Sequence, residues 1–153
     1  MSVIARTMSR VAVAALLALA ACGDDQDPEG AARFWETIQT DDYRSWARAP
    51  GYPGREPSRA AHGDEVEVWV NDVVEAALAD PTTETWPVGS VIVKDGYEGG
   101  ELCFVAGMEK VAADQWFYVE YDGGGDTLFS GQPEICTGCH AVGDDFVRTF
   151  QLP

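Results

Sequence analysis

Basic side chains are scarce in this chain: 10 Lys and Arg stand against 26 Asp and Glu, a formal charge of −16. So acidic a surface repels phosphate backbones and anionic lipid, which excludes nucleic acid as a partner and suits a basic protein or a cationic small molecule. Histidine occurs only at 62 and 140, lysine only at 94 and 110, and methionine at 1, 8 and 108. A zinc site built on several histidines is excluded by that supply. Long apolar runs are lacking too. Val11 to Ala21 is too short to cross a bilayer as a helix of the mature protein.

What the N-terminus does contain is a leader pattern. Arg6 and Arg10 form a basic region, the apolar stretch follows, and it closes on Leu19-Ala20-Ala21-Cys22. This looks like a bacterial lipoprotein signal, with cleavage before Cys22 and lipid on its thiol. Residues 1–21 are therefore expected to be a signal peptide and Cys22 a lipidation site, giving an exported periplasmic or cell-surface lipoprotein anchored without a membrane helix. Gly23 in place of aspartate favours the outer membrane where the host has one. Residues 22–30 are polar and acidic and read as a disordered tether, leaving 31–153 as one domain.

The strongest signal lies late in the sequence. Cys136-Thr137-Gly138-Cys139-His140 spells C-x-x-C-H, the attachment motif of a covalent c-type haem. Both thiols would form thioethers with the haem vinyl groups, and His140 would lie beneath the iron as axial ligand. A thioredoxin-like pair would instead open a helix within a βαβ unit, a pattern that does not surround Cys136. A zinc site would need two further ligands from Cys103, His62 and carboxylates. Ala141 to Pro153 are all that follow the motif, so the haem pocket must be built mainly from upstream residues. Cys103, left without a task and flanked by Leu102, Phe104 and Val105, is expected to be buried.

Upstream, the periodicity changes from helical to alternating. Ala31 to Arg48 carries Phe34, Trp35, Ile38, Tyr43 and Trp46 at spacings that suit one or two short helices. From Asp64 the period is two: Val66, Val68 and Val70 alternate with Glu65, Glu67 and Trp69, a strand with one buried face. Asn71 suits the cap of a helix through Val73, Val74, Ala77 and Leu78. Further strands are read at 89–94, 101–108 and 115–121, with turns at Gly96 and Gly99-Gly100 and at Gly123-Gly124-Gly125. The expected fold is mainly β (α+β), an antiparallel sheet with a few peripheral short helices and one covalent c-type haem.

With His140 on one side of the iron, the other side decides the chemistry, since a sixth protein ligand suits electron transfer and an open position permits reaction. Only Met108, His62 and the two lysines could fill it, and this scarcity points to an open site. At this point the chain resembles the cytochrome P-460 family and its relative, the cytochrome c′-beta group. The resemblance is carried by Tyr43-Arg44-Ser45-Trp46, by the Val66 to Asn71 strand, by Gly89-Ser90-Val91-Ile92-Val93-Lys94, by the aromatic strand Trp116 to Tyr121, and by the late haem motif followed by Asp145 to Thr149.

The resemblance implies an antiparallel β domain, often a homodimer, with His140 proximal and the iron five-coordinate. It also implies that Lys94 stands where a lysine is covalently joined to the haem edge in enzymes that oxidise hydroxylamine and related nitrogen oxides. A soluble redox protein would then receive the electrons. Against this, Val105 falls where those enzymes carry a proton-accepting carboxylate, and Glu101 and Glu109 share its parity without matching the motif. Phe104 and Arg148 are further pocket candidates. Three functions stay open: an oxidoreductase acting on hydroxylamine or nitric oxide, a c′-beta-like protein that binds nitric oxide without turnover, and an electron carrier with Met108 or His62 as sixth ligand.

Overall fold

The structure, a computed structural model, describes residues 26–58 and 61–153; the leader, Cys22 and residues 23–25 of the expected tether lie outside the described residues. The first element is helix α1, Pro28–Thr40. Asp27 caps it by accepting the Gly30 amide at 2.8 Å, proline occupies the first turn, and Glu29 adds the negative charge that a helix N-terminus favours. Ala31, Phe34 and Ile38 form its buried stripe. The tether read over 22–30 therefore ends earlier than expected. Gly30 is buried beneath Phe117, and Asp27 is fastened to the sheet by its amide on the Ser130 hydroxyl at 3.0 Å.

After a single 3-10 turn at Tyr43–Ser45 come two short strands, β1 (Ala47–Arg48) and β2 (Glu56–Pro57), and then β3 (Glu65–Val70). Helix α2 (Asp72–Ala79) follows, capped by Asn71 as the sequence suggested. The long strands β4 (Val91–Glu98), β5 (Glu101–Ala112) and β6 (Gln115–Asp122) and the shorter β7 (Thr127–Gly131) continue as an antiparallel meander, and helix α3 (Glu134–His140) carries the cysteine motif. The sheet order is β1-β3-β4-β5-β6-β7, with β2 pairing on β3. The mainly β, antiparallel expectation holds for the described residues.

Two local differences have physical causes. Gly96 is a strand residue of β4, not a turn; the His62 carbonyl crosses where its Cβ would be, so only glycine fits. The turn itself is Gly99-Gly100, both at positive φ (59° and 92°). Strand β7 was not anticipated, because Thr127 and Leu128 are exposed and it carries no alternating apolar pattern.

The meander has two covered faces. On one, α1 packs over Trp69, Val93, Val105, Phe117, Val119 and Tyr121. On the other, α2 and the C-terminal segment cover Val66, Val68, Val70, Ile92, Met108 and Tyr118 with Trp86, Val147 and Phe150. Trp69 thus corrects the one-sided reading of β3. It is 2% exposed and meets Tyr43 edge-on at 5.5 Å, because α1 and the following turn roof the face that the flanking glutamates suggested was open.

Candidate functional site

Strand pairing sets the site. Register places Val70, Ile92, Met108 and Tyr118 in one row across β3 to β6, and Val68, Lys94, Ala106 and Glu120 in the next. Side chains of one row share a face, so Lys94 and Glu120 point the same way on strands separated only by Ala106. Two strand spacings put their backbones about 10 Å apart. The small alanine between them leaves a gap, and the gap opens into a cavity of about 380 Å³.

Helix α3 forms one wall of that cavity. Cys136 and Cys139 are three residues apart, hence neighbours on one helical face, and both line the cavity together with His140. The Nδ1 of His140 lies 2.9 Å from the Phe146 carbonyl. A carbonyl only accepts, so Nδ1 carries the proton and Nε2 keeps its lone pair. Burial, opposed by that hydrogen bond, holds the imidazole below its usual range and therefore neutral. Its ring packs on Tyr118 with centroids 5.0 Å apart.

Cys136 does open a helix after a strand, contrary to the sequence reading, yet the sheet is an antiparallel meander without a βαβ unit. Burial pushes its thiol up to about 11, with Glu120 and Cys139 adding to the effect. A redox-poised cysteine has the opposite shift, so Cys136 is a poor attacking thiolate. Cys139 is exposed and its sulfur accepts from Arg148 Nη1 at 2.7 Å. Among the described residues no three His, Cys, Asp or Glu side chains converge as a metal site.

The far wall is polar. Burial pulls Lys94 down to about 8, so it remains mostly an ammonium at neutral pH and becomes a largely uncharged amine only above that value. Among the described residues no carboxylate pairs with its ammonium; Cys139, Arg148 and Glu120 act on it only through their charge. Glu120 is gripped from the other side by His62, whose Nδ1 contacts Glu120 Oε2. His62 is held at φ 80°, a conformation costly for a non-glycine residue.

Of the residues singled out in the sequence, Cys136, Cys139, His140, Lys94, His62, Met108 and Arg148 line this one cavity. Val105 does not. It is 1% exposed and packs under α1 on the opposite face, where Glu109 faces Arg33 at 3.6 Å. Val105 and Glu109 share a face as read, but it is the other face; the register shift that sets Leu102 opposite Tyr97 takes Glu101 out of that set. Phe104 does not line the cavity either, and Cys103 is half-buried with its sulfur 3.5 Å from the Glu101 carbonyl, not enclosed as expected. Tyr43 and Arg44 belong to the scaffold: both bind the buried Asp95, at 2.6 and 2.7 Å. Glu120 was missed. Its alternation with Trp116 and Tyr118 was the available signal, once the face was known. No family model matches the chain, and no curated protein matches it.

Proposed function

We propose that the chain is an exported, lipid-anchored mono-haem c cytochrome, resembling cytochrome P-460, with an open distal site for redox chemistry on hydroxylamine or nitric oxide. The observation that carries this reading is the convergence of Cys136, Cys139, His140, Lys94 and Glu120 on one cavity. The residues fit haem. Two neighbouring cysteines stand at the wall, an imidazole offers a bare Nε2, and Val66, Ile92, Met108 and Tyr118 give an apolar lining for the macrocycle. Haem bound there supplies a redox-active iron that takes a small nitrogen ligand and passes electrons on.

Cys136 and Cys139 would hold the group through thioethers, and His140 would ligate its iron. The Phe146 carbonyl fixes the His140 tautomer and makes the ring a stronger donor. Lys94, whose burial lowers it to about 8, is the residue that the resemblance would place joined to the haem edge. Glu120 supplies the carboxylate that Val105 does not: held by His62, it accepts a proton from an N–H or O–H of the substrate. A soluble redox protein receives the electrons, and the acidic charge of −16 favours a basic one.

A second reading, an electron carrier with His62 as sixth ligand, draws on the contact of His62 Nδ1 with Glu120, which leaves its Nε2 bare as in many metal-bound histidines. The spin state of the resting protein separates the two. A five-coordinate, high-spin iron together with hydroxylamine-dependent reduction of an added acceptor supports the enzyme. A six-coordinate, low-spin iron that becomes high-spin in His62→Ala supports the carrier. High-spin iron that binds nitric oxide without turnover returns the c′-beta-like binder.

A further inference from the structure

The segment after the motif contains a turn that ought not to be comfortable. Asp144 and Val147 exchange both backbone hydrogen bonds at 3.0 Å, and the two residues between them, Asp145 and Phe146, have φ of 44° and 67°. Positive φ at both central positions is the requirement of a type I′ turn, which asparagine and glycine meet and an aspartate–phenylalanine pair does not meet without strain. Strain of this kind persists only where surrounding structure over-determines it.

What over-determines it is a buried lysine. Lys110 is 1% exposed, on the cavity face of β5 and beside a register shift in the β5–β6 pairing. Its Nζ donates to both oxygens of Asp145, at 2.6 and 2.5 Å, and lies over the Trp116 ring at 5.4 Å. Asp145 also accepts the Trp86 amide at 2.8 Å. The neighbouring Phe146 carbonyl is thereby held in place, and it is the acceptor for His140 Nδ1. A chain of contacts runs from Lys110 through Asp145 and the strained turn to the imidazole.

We propose that Lys110 and Asp145 are positioning residues, whose buried ion pair holds the Asp145–Phe146 turn so that its carbonyl fixes the orientation and tautomer of His140. The inference rests on the haem reading only for its spectroscopic form. Without the pair, a non-glycine turn relaxes toward negative φ and its carbonyl rotates off Nδ1. The imidazole then loses its fixed tautomer and part of its donor strength.

The test uses three variants of the full chain: Lys110→Met, Lys110→Met with Asp145→Asn, and both with Phe146→Gly. The double variant leaves no unpaired buried charge. The triple variant supplies an asparagine–glycine pair that adopts the turn unaided. In the reduced haem protein the iron–histidine stretching band shifts to lower frequency in the single and double variants and returns to its wild-type position in the triple. A merely structural role would lower the melting temperature and leave the band where it was, and an unmoved band in the double variant overturns the proposal. Absence of haem on Cys136 and Cys139 would instead defeat the functional reading. The positioning claim is then read from the 15N shifts of the His140 ring: one fixed tautomer in the wild type and triple variant, a mixture in the other two. A single fixed tautomer in all four proteins overturns it.

Discussion

Two neighbouring residues of β4, Asp95 on one face of the sheet and Lys94 on the other, treat charge in opposite ways. Under α1, the fully buried Asp95 is satisfied twice, by the Tyr43 hydroxyl at 2.6 Å and the Arg44 guanidinium at 2.7 Å, and aromatic rings close over it. On the cavity face, one strand row away, Lys94 has no carboxylate partner among the described residues, while Glu120 leans on His62 from outside. A paired buried charge builds structure; one left facing a cavity costs stability and so has another use. The Tyr43-Arg44 element of the sequence pattern thus belongs to the scaffold, and Lys94 with Glu120 to the proposed site.

Substitutions on each face should separate these roles. The largest effect is expected at Glu120. Glu120→Gln keeps the shape and a contact to His62 but removes the proton acceptor, so hydroxylamine-dependent acceptor reduction should fall by roughly 10²–10⁴-fold. Its urea midpoint should stay near that of the wild type; equal turnover in the variant would move Glu120 to the scaffold. Asp95→Ala should show the converse. Leaving the Tyr43 hydroxyl without an acceptor costs about 1–3 kcal/mol of stability in urea denaturation, while turnover by the folded fraction is unchanged.

A third effect concerns Lys94 and is a slope in pH. With Cys136→Ala and Cys139→Ala present, so that Lys94 is unlinked, its folded value is about 8 against the ordinary 10.5. Between those values the unfolded chain retains a proton that the folded chain has released, so stability rises with pH across that window. Below about pH 8 the cost of burying the ammonium applies in full. Adding Lys94→Met should flatten this part of the stability profile and raise stability most at neutral pH. An identical slope in both proteins would mean that the ammonium is hydrated.

Much of the sheet was legible in the sequence because valines at 66, 68 and 70 and the aromatic run 116–121 alternate cleanly. The Asn71 cap and the cysteine motif are local signals and needed no tertiary knowledge. Which face of β5 and β6 looks into the cavity is not a local property. Period two sorts residues into two sets without labelling them, so Val105 was weighed for the cavity although Glu120, two strands from Lys94, is the carboxylate that faces it. The Lys110–Asp145 pair joins residues 35 apart, and its turn lacks the glycine or asparagine by which such turns are recognised. Trp69 was read as outward because its neighbours are glutamates, and only the packing of Tyr43 shows otherwise.

The central claim is that the cavity beside α3 holds a covalent haem with Lys94 at its edge. A proteolytic digest of the purified protein followed by mass analysis tests it most directly. The account predicts that the peptide containing Cys136 to His140 carries the mass of one haem and remains joined to the peptide containing Lys94. Haem on the cysteine peptide alone would contradict the cross-link, and unmodified thiols at Cys136 and Cys139 would contradict the account as a whole.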